Sequence, residues 1–548
     1  MARLFVKVGP LNAAGAAAGI LTAAAAVGVA QVVAGLTVPA SSPVLAVGQA
    51  AIDHTPQPVK DFAISTFGAD DKNVLLGGIL VMLALFAAAI GAAAVRRLSW
   101  GLWGLGAFAS LGLAAALTRP DANAEWVVPT LAGAAAGTLA MVRLARAAVA
   151  LRPGAPAEPS EGTDPSEDTA PGELEEPAFT YLPNPDEPPP RRHPERRQFL
   201  VAGGLAVATA AVGTVAGRVL AERYSVAKAR AALRFPAPAV PAPALPPDAD
   251  LRIPGLSSFI TTNDGFYRVD TTLLLPEVDP ATWRLRIHGM VRREMVITFG
   301  ELLKRPLIED YVTLTCVSDP VSGPYVGNAK WLGASLPALI RSAGPLAGAD
   351  QLLCTSVDGF TSGTPLAVVL DGRDALLAVA MNGTALPVAH GFPARMVVPG
   401  LYGYVSATKW VTDIEVTTFA SAQAYWAVRG WAQQAPIKTE SRIDVPASGA
   451  SLPAGRTPVA GVAWAQHKGI AAVEVRADGG SWQQARLAAV PGIDTWRQWV
   501  WDWDASPGGH TLEARATDAT GYTQTPVQVP TTPNGASGYP SVGVTVRQ

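Results

Sequence analysis

The sequence predicts three structural regions in order: an N-terminal α-helical transmembrane bundle, a central α+β domain and a C-terminal all-β sandwich. Three observations predict them. Apolar runs recur between Leu11 and Gly217, each of about 20 residues and so long enough to cross a bilayer. Beyond the last run the pattern changes to short alternating strands, with a capped helix start at Thr298. From Ile443 to Val546, β-type runs recur at regular spacing and are divided by glycine turns.

At 548 residues the chain is too long for one ordinary domain, and a mean hydropathy of +0.24 is too apolar for a wholly soluble protein. A net charge of −2 and a pI near 6.3 lack the basic footprint of a nucleic-acid binder, which excludes that partner class. The runs in region 1–151 are Leu11–Leu36, Val74–Val95, Trp100–Leu117 and Val127–Ala150. A fifth, Phe199–Gly217, falls in 198–218. Val44–Ile52 is apolar but too short to span, so it is expected to be interfacial or re-entrant. If each run crosses once, Arg3, Lys7, Arg96, Arg97, Arg143, Arg146, Arg152, Arg191, Arg192, Arg196 and Arg197 share one side. The positive-inside rule makes that side the cytoplasm, with everything after Gly217 outside. Arg143 and Arg146 end their span and snorkel to the interface. The runs are mostly Ala, Gly, Leu and Val, which suit close helix packing and offer no chemistry. None of the six histidines lies in a run, so the expected role is an anchor without its own haem, although His54 in the first outer loop could serve a partner.

Residues 152–197 are rich in Pro, Glu, Asp, Gly and Ser and cannot bury a core, so they predict a disordered cytoplasmic linker. It ends in Glu195-Arg-Arg-Gln-Phe-Leu200 ahead of the fifth run. That pattern reads as a twin-arginine export signal or as positive-inside flanks. Residues 219–247 are basic, then proline-rich from Arg234 to Pro247, and predict a stiff spacer that holds the following domain clear of the membrane.

The central domain, 248–434, offers strands at Trp283–His288, Glu294–Phe299 and Asp350–Ser356. Its focus is Tyr311–Trp331. Tyr-Val-Thr-Leu-Thr reads as a strand ending at Cys316, where Ser-Asp-Pro breaks the ladder. Only Cys316 and Cys354 are present, so a zinc cluster or disulfide framework is excluded. Cys316 is then either an inert buried thiol or a soft ligand or nucleophile. Cys354, among Leu352 and Leu353, reads as core filler, with a Cys316 disulfide as the rival.

Thr313, Leu314 and Cys316, then Gly327, Ala329 and Trp331, match a T-L-x-C strand followed by G-x-A-x-W. His390-Gly-Phe-Pro-Ala-Arg395, Val398-Pro-Gly400 and Lys409-Trp410 continue the match in the same order. This set resembles the sulfite oxidase family of molybdopterin enzymes, from about Asn263 to the C-terminus, as a membrane-anchored bacterial member. The resemblance implies an α+β sulfite-oxidase-type fold and a molybdenum–molybdopterin cofactor, with Cys316 as metal ligand and catalytic residue. It implies cofactor binding by Asn263, Asp264, Phe266 and Tyr267, by Asp358 in a polar turn, and by His390, Arg395, Ser406 and Lys409. The planar fork of Arg395 and the point charge of Lys409 suit a phosphate or pterin edge. Two departures stand out. Ser318-Asp-Pro-Val-Ser follows Cys316 where sulfite-oxidising members carry arginines, and Trp431 takes the place of the active-site tyrosine as the other catalytic position.

In region 435–548 the β-type runs are Val459–Trp464, Ala472–Arg476, Trp496–Trp501 and His510–Thr517. They predict an immunoglobulin-like sandwich, with Trp499, Trp501 and Trp503 on one packed strand face. The resemblance makes it a dimerisation domain. The reading as a whole is a multi-pass cell-membrane protein whose outer part is an oxidoreductase transferring an oxygen atom to or from a small substrate. S-oxide or N-oxide reduction is preferred to sulfite oxidation. The alternatives are a sulfite oxidase-like dehydrogenase and a non-catalytic binding or assembly module. Without haem-attachment or iron–sulfur cysteines, a separate electron-transfer partner is expected.

Overall fold

The structure, a computed structural model, describes residues 10–56, 59, 62, 66–67, 71–119, 122–151 and 194–548. It divides into two compact units, Met1–Arg223 and Tyr224–Gln548. Arg3, Lys7, Arg152, Arg191 and Arg192 lie outside the described residues, as does the expected linker up to residue 193. The last linker residues, from Pro194, instead form the first turn of a helix, a position where proline's missing N–H costs nothing.

The first unit contains α1 (Pro10–Leu36), α2 (Pro43–His54), α3 (Asp71–Ala94), α4 (Leu98–Leu117), α5 (Val128–Ala150) and α6 (Pro194–Ala221). Five helices, all of these except α2, are long and apolar enough to cross a membrane. The 12 residues of α2 rise only about 18 Å, too little to span. Helices α3, α5 and α6 pack on α1. Glycine permits the approach: a Cβ on Gly28 would stand 2.7 Å from Ala210 Cα of α6. Leu80, Leu85, Phe86, Trp103, Leu139 and Leu200 turn outward, apolar and exposed.

The second unit begins with buried Val226, whose N–H donates to Glu277 Oε2 at 2.9 Å, and α7 (Ala227–Ala232). Arg230 of α7 donates through Nε to Leu386 O at 2.9 Å. The proline-rich stretch that follows is not a free spacer. Ala239 N–H donates to Leu307 O, and Val240 O accepts from Glu309 N–H, both at 2.8 Å. Extended proline-rich backbone can lie along a sheet edge, and the ladder forms at Ala239 and Val240 because neither is proline.

In chain order the central elements are β1 (Arg284–Gly289), β2 (Met295–Thr298), α8 (Phe299–Leu303), β3 (Leu307–Thr315), β4 (Val326–Ser335), α9 (Leu336–Ala343), β5 (Gln351–Ser356), β6 (Thr361–Pro365), α10 (Leu366–Leu370), β7 (Leu376–Met381), β8 (Thr384–Ala385), β9 (Arg395–Val397), α11 (Gly403–Ser406) and β10 (Val411–Thr417). One sheet runs β2-β1-β10-β5-β6, with only β1 and β10 parallel. The other runs β3-β4-β7-β8, with β9 also on β7. The predicted capping box starts α8: Glu301 N–H donates to Thr298 Oγ1 at 3.1 Å, and Thr298 N–H to Glu301 Oε2 at 2.8 Å.

The C-terminal strands are β11 (Glu440–Val445), β12 (Ser451–Pro453), β13 (Gly455–Trp464), β14 (Ile470–Ala477), β15 (Gln483–Gln484), β16 (Arg486–Leu487), β17 (Arg497–Ala505), β18 (Gly508–Asp518) and β19 (Ser541–Arg547). They form two sheets, β11-β13-β17-β16 and β12-β19-β18-β14-β15. Val459, Val473, Trp499, Trp503, Leu512 and Val544 share a core. As alternation on β17 predicts, Trp499 and Trp503 are buried, and half-buried Trp501 stacks on Trp503. The expected boundary at 435 marks a change of sheet but not of core. Ala435, Ile437, Val462, Trp464 and Trp496 pack with the central strands, and Trp496 Nε1 donates to Phe259 O at 2.9 Å.

Candidate active site

Strand β3 ends at Thr315, one residue before Cys316, as its alternation predicts. The next loop folds back on the cysteine. Cys316 N–H donates to Tyr325 O at 2.9 Å, Asp319 N–H to Cys316 O at 3.1 Å, and Tyr325 N–H to Asp319 Oδ1 at 2.8 Å. Ser318 N–H points at Cys316 Sγ from 3.4 Å, a contact that favours the thiolate. Burial dominates, however, and pushes the thiol up to about 11. Cys316 and Cys354 are both free, so the disulfide rival falls. Cys354 is buried in the central core, as expected of filler.

Two short segments bring further groups to this end of β3. Tyr267 Oη would be 3.9 Å from a Cβ on Gly403, which in turn would be 3.7 Å from Thr315 O. Tyr267 stacks on Phe266, and Phe266 sets its ring edge against Trp331 and His390. Gly327 leaves room for that platform, since a Cβ there would stand 2.9 Å from the Phe266 ring. Gly327→Ala is therefore expected to displace Phe266 and cost about 1–3 kcal/mol of stability, read as a lower denaturant midpoint at constant slope.

The His390–Arg395 turn needs Gly391 at φ +106, where a Cβ would also meet Arg395 Cβ at 2.9 Å and Lys409 at 3.1 Å. His390 Nε2 lies 3.0 Å from Asn263 O. A carbonyl only accepts, so Nε2 carries the proton. Burial, then Arg395 and Lys409, depress this imidazole to about 4, so it is neutral at physiological pH. Buried Arg395 donates to His390 O at 3.1 Å and Ala407 O at 3.3 Å, and lies 5.0 Å over the Trp331 ring. Its recorded hydrogen bonds go to carbonyls, and desolvation lowers it to about 10. Lys409 donates to Asp270 at 2.9 Å and Ala389 O at 3.0 Å, and burial lowers it to about 8. Arg268 shares the same Asp270 carboxylate. Lys409 and Arg268 thus share a single carboxylate while Arg395 adds a further positive charge near Lys409, an arrangement that an anionic ligand would relieve.

The other expected residues are placed differently. Asn263 spends its amide on Thr384 and Met381 and accepts from Asn382, so it positions His390 through its carbonyl. Asp264 is exposed. Asp358 accepts from Phe360 N–H in the β5–β6 turn, beside Val357, whose N–H donates to Trp410 O. Ser406 is no donor to a ligand: its hydroxyl turns back to Leu401 O and Tyr402 O, both at 3.0 Å. Trp431 packs with Tyr404 and Trp426, and its recorded ring contacts do not reach the Cys316 group. Sequence reasoning missed Asp270, which pairs with Lys409 and Arg268, and Asp319, which ties down the Cys316 loop. Only Asp319, in the loop that follows Cys316, carried a local signal.

A sequence profile described as the oxidoreductase molybdopterin binding domain matches residues 272–426. The oxidoreductase YuiH of Bacillus subtilis is 30% identical over 153 residues, 28% of this chain and 74% of that protein. The chain belongs to the sulfite oxidase family of molybdopterin-dependent oxidoreductases. Chicken sulfite oxidase is 31% identical over 290 residues, 44% of this chain and 62% of that enzyme. Against the mouse, rat and human sulfite oxidases the chain spans about half of their length. The sulfane dehydrogenase SoxCD of Paracoccus pantotrophus aligns over 53% of this chain and 82% of its own, with 23% identity and a TM-score of 0.47. The family's cofactor is molybdenum–molybdopterin, and the residues present fit it. Cys316 offers a soft sulfur to the metal. Buried Arg395 and Lys409, with the more exposed Arg268 beside them, offer positive charge to an anionic group.

Proposed function

We propose that the chain is a membrane-tethered, extracytoplasmic enzyme that reduces S-oxides or N-oxides of small molecules. The observation that carries the direction is the loop from Val317 to Tyr325. It supplies no cationic side chain and one buried carboxylate, Asp319, so a small dianion such as sulfite is poorly held on that side of Cys316. When bound, the cofactor supplies the two-electron redox chemistry at molybdenum. Cys316 would hold the metal, giving up its thiol proton on loading. Arg395 and Lys409 would fix the anionic part of the cofactor, with His390 held neutral beside them. Phe266 and Tyr267 would wall the pocket and exclude water.

The positive charges flanking the apolar runs support a cytoplasmic N-terminus and an outer second unit, with Arg196 and Arg197 read as an export signal for a domain loaded before translocation. The C-terminal sheets are read as an immunoglobulin-like sandwich that serves dimerisation. Electrons come from a separate carrier, because none of the six histidines lies in the five span helices.

The test supplies the full-length protein with S-oxides and N-oxides plus a reduced dye, and separately with sulfite plus an oxidising dye. Oxide reduction is expected, with kcat/KM for sulfite lower by on the order of 10- to 100-fold, the worth of one or two charge-assisted hydrogen bonds. Sulfite oxidation as the more efficient reaction would reverse the assignment to a sulfite oxidase-like dehydrogenase. No turnover by the metal-loaded protein in either assay would favour a binding module.

A further inference from the structure

Strand β3 lies at the edge of its sheet, so its outward backbone groups need partners from elsewhere in the chain. The proline-rich stretch meets them at Leu307 and Glu309. Nearer Cys316 the C-terminal domain takes over. Thr313 N–H donates to Asp494 O at 2.9 Å, and Trp496 N–H donates to Thr313 Oγ1 at 2.7 Å. Gln466, from the turn between β13 and β14, donates through Nε2 to Thr313 O and to Thr315 Oγ1, both at 3.0 Å. Thr315 is the last residue of β3 and is bonded to Cys316.

A carbonyl oxygen only accepts, so the contact to Thr313 O fixes which end of the Gln466 amide faces β3. Both protons of Nε2 are then spent on the strand. The amide oxygen is left over: Gln466 is 2% exposed, and its Oε1 has no hydrogen-bond partner among the described residues. An unpaired buried acceptor costs stability that an apolar side chain of the same length would not. The turn is also held on a second side. His467 sits at φ +63, and a Cβ on Gly400 would stand 3.1 Å from His467 Cβ and 3.3 Å from Gln466 O. One turn thus touches both the strand that ends at Cys316 and the Val398-Pro-Gly400 segment.

We propose that Gln466 is a positioning residue for Cys316, holding the end of β3 from the C-terminal domain so that the thiol is presented at one place. The Cys316 backbone is tied on its loop side through its N–H to Tyr325 O. Gln466 supplies the tie on the strand side, one residue earlier. A sulfur held from both sides keeps its distance and direction toward a metal, as outer partners do for other ligands. The C-terminal domain is thereby part of the site.

The inference rests on Cys316 as the metal ligand, and its test separates the two. Gln466→Met keeps the length of the side chain and removes the donor; Thr315→Val keeps the shape of its partner and removes the acceptor. In cofactor-free full-length protein carrying Cys354→Ala, Cys316 is the only thiol, and its rate of alkylation by iodoacetamide reports how firmly the end of β3 is held. That rate should rise on the order of tenfold in either variant, as loss of one buried hydrogen bond allows, and the double variant should add little to Gln466→Met. In the loaded protein the sulfur shell at the molybdenum edge should keep its count and widen its spread of distances, while kcat falls on the order of 10- to 100-fold with KM little changed. An alkylation rate equal to the parent's in both variants, with only the melting temperature lowered, would reduce Gln466 to a structural brace and overturn the proposal. If Gln466→Met does not fold, Thr315→Val alone decides, since it breaks the same contact. Failure of the ligand reading shows elsewhere, as an unchanged sulfur count in Cys316→Ser, and leaves the alkylation result standing.

Discussion

Cys316→Ala is expected to lower turnover by at least two orders of magnitude while leaving the melting temperature near that of wild type. The loss should exceed the roughly 10- to 100-fold that removal of a supporting residue costs a metal site. The fold should survive because Cys316 lies at a loop junction and takes no part in the apolar core clusters, although it is buried. Cys354 is the internal control. It sits in the central core with Leu352 and Ile414, and burial pushes its thiol up to about 12. Cys354→Ala should therefore cost about 1–2 kcal/mol of stability and leave kcat unchanged. Loss of activity in both variants, in proportion to their loss of stability, would mean that Cys316 is only structural.

Arg395→Met should release the cofactor. The guanidinium is buried and its recorded hydrogen bonds are to carbonyls, so an anionic ligand would gain a charge-assisted bond that methionine cannot supply. Cofactor retention is expected to weaken on the order of 100-fold, read as pterin content of the purified protein against dilution time. Retention should also depend on pH with a defined sign. Without ligand, Lys409 titrates near 8, so its positive charge is complete below that value and lost above it. A bound anion raises that value, and affinity therefore falls as pH rises from about 8. Arg395→Met with unchanged pterin content would remove the anion-binding role.

What was legible in the sequence was local. Alternation in Tyr311–Thr315 and the Ser-Asp-Pro break located the end of β3 to within a residue of Cys316. The Thr298–Glu301 cap and the period-two tryptophans of β17 also follow from spacing alone. The turn bearing His390 and Arg395 was legible through its motif, because only glycine fits at position 391. What was not legible was the direction of individual side chains. Ser406 lies between two motif segments yet bonds the carbonyls just ahead of its own helix, and Asn263 turns its amide to Asn382 and Thr384. No local pattern fixes Trp431, and packing with Tyr404 and Trp426 decides its position. The proline run pairs with β3 because Ala239 and Val240 interrupt it, a register that composition does not encode.

The central claim is that this chain holds molybdenum through Cys316. X-ray absorption at the molybdenum edge of the purified full-length protein, beside Cys316→Ser, tests it most directly. The account predicts stoichiometric molybdenum and pterin in the wild type, with one more sulfur neighbour at the metal than in the serine variant. Equal sulfur counts in the two proteins, or wild-type protein that binds no molybdenum when expressed with cofactor supply, would contradict it.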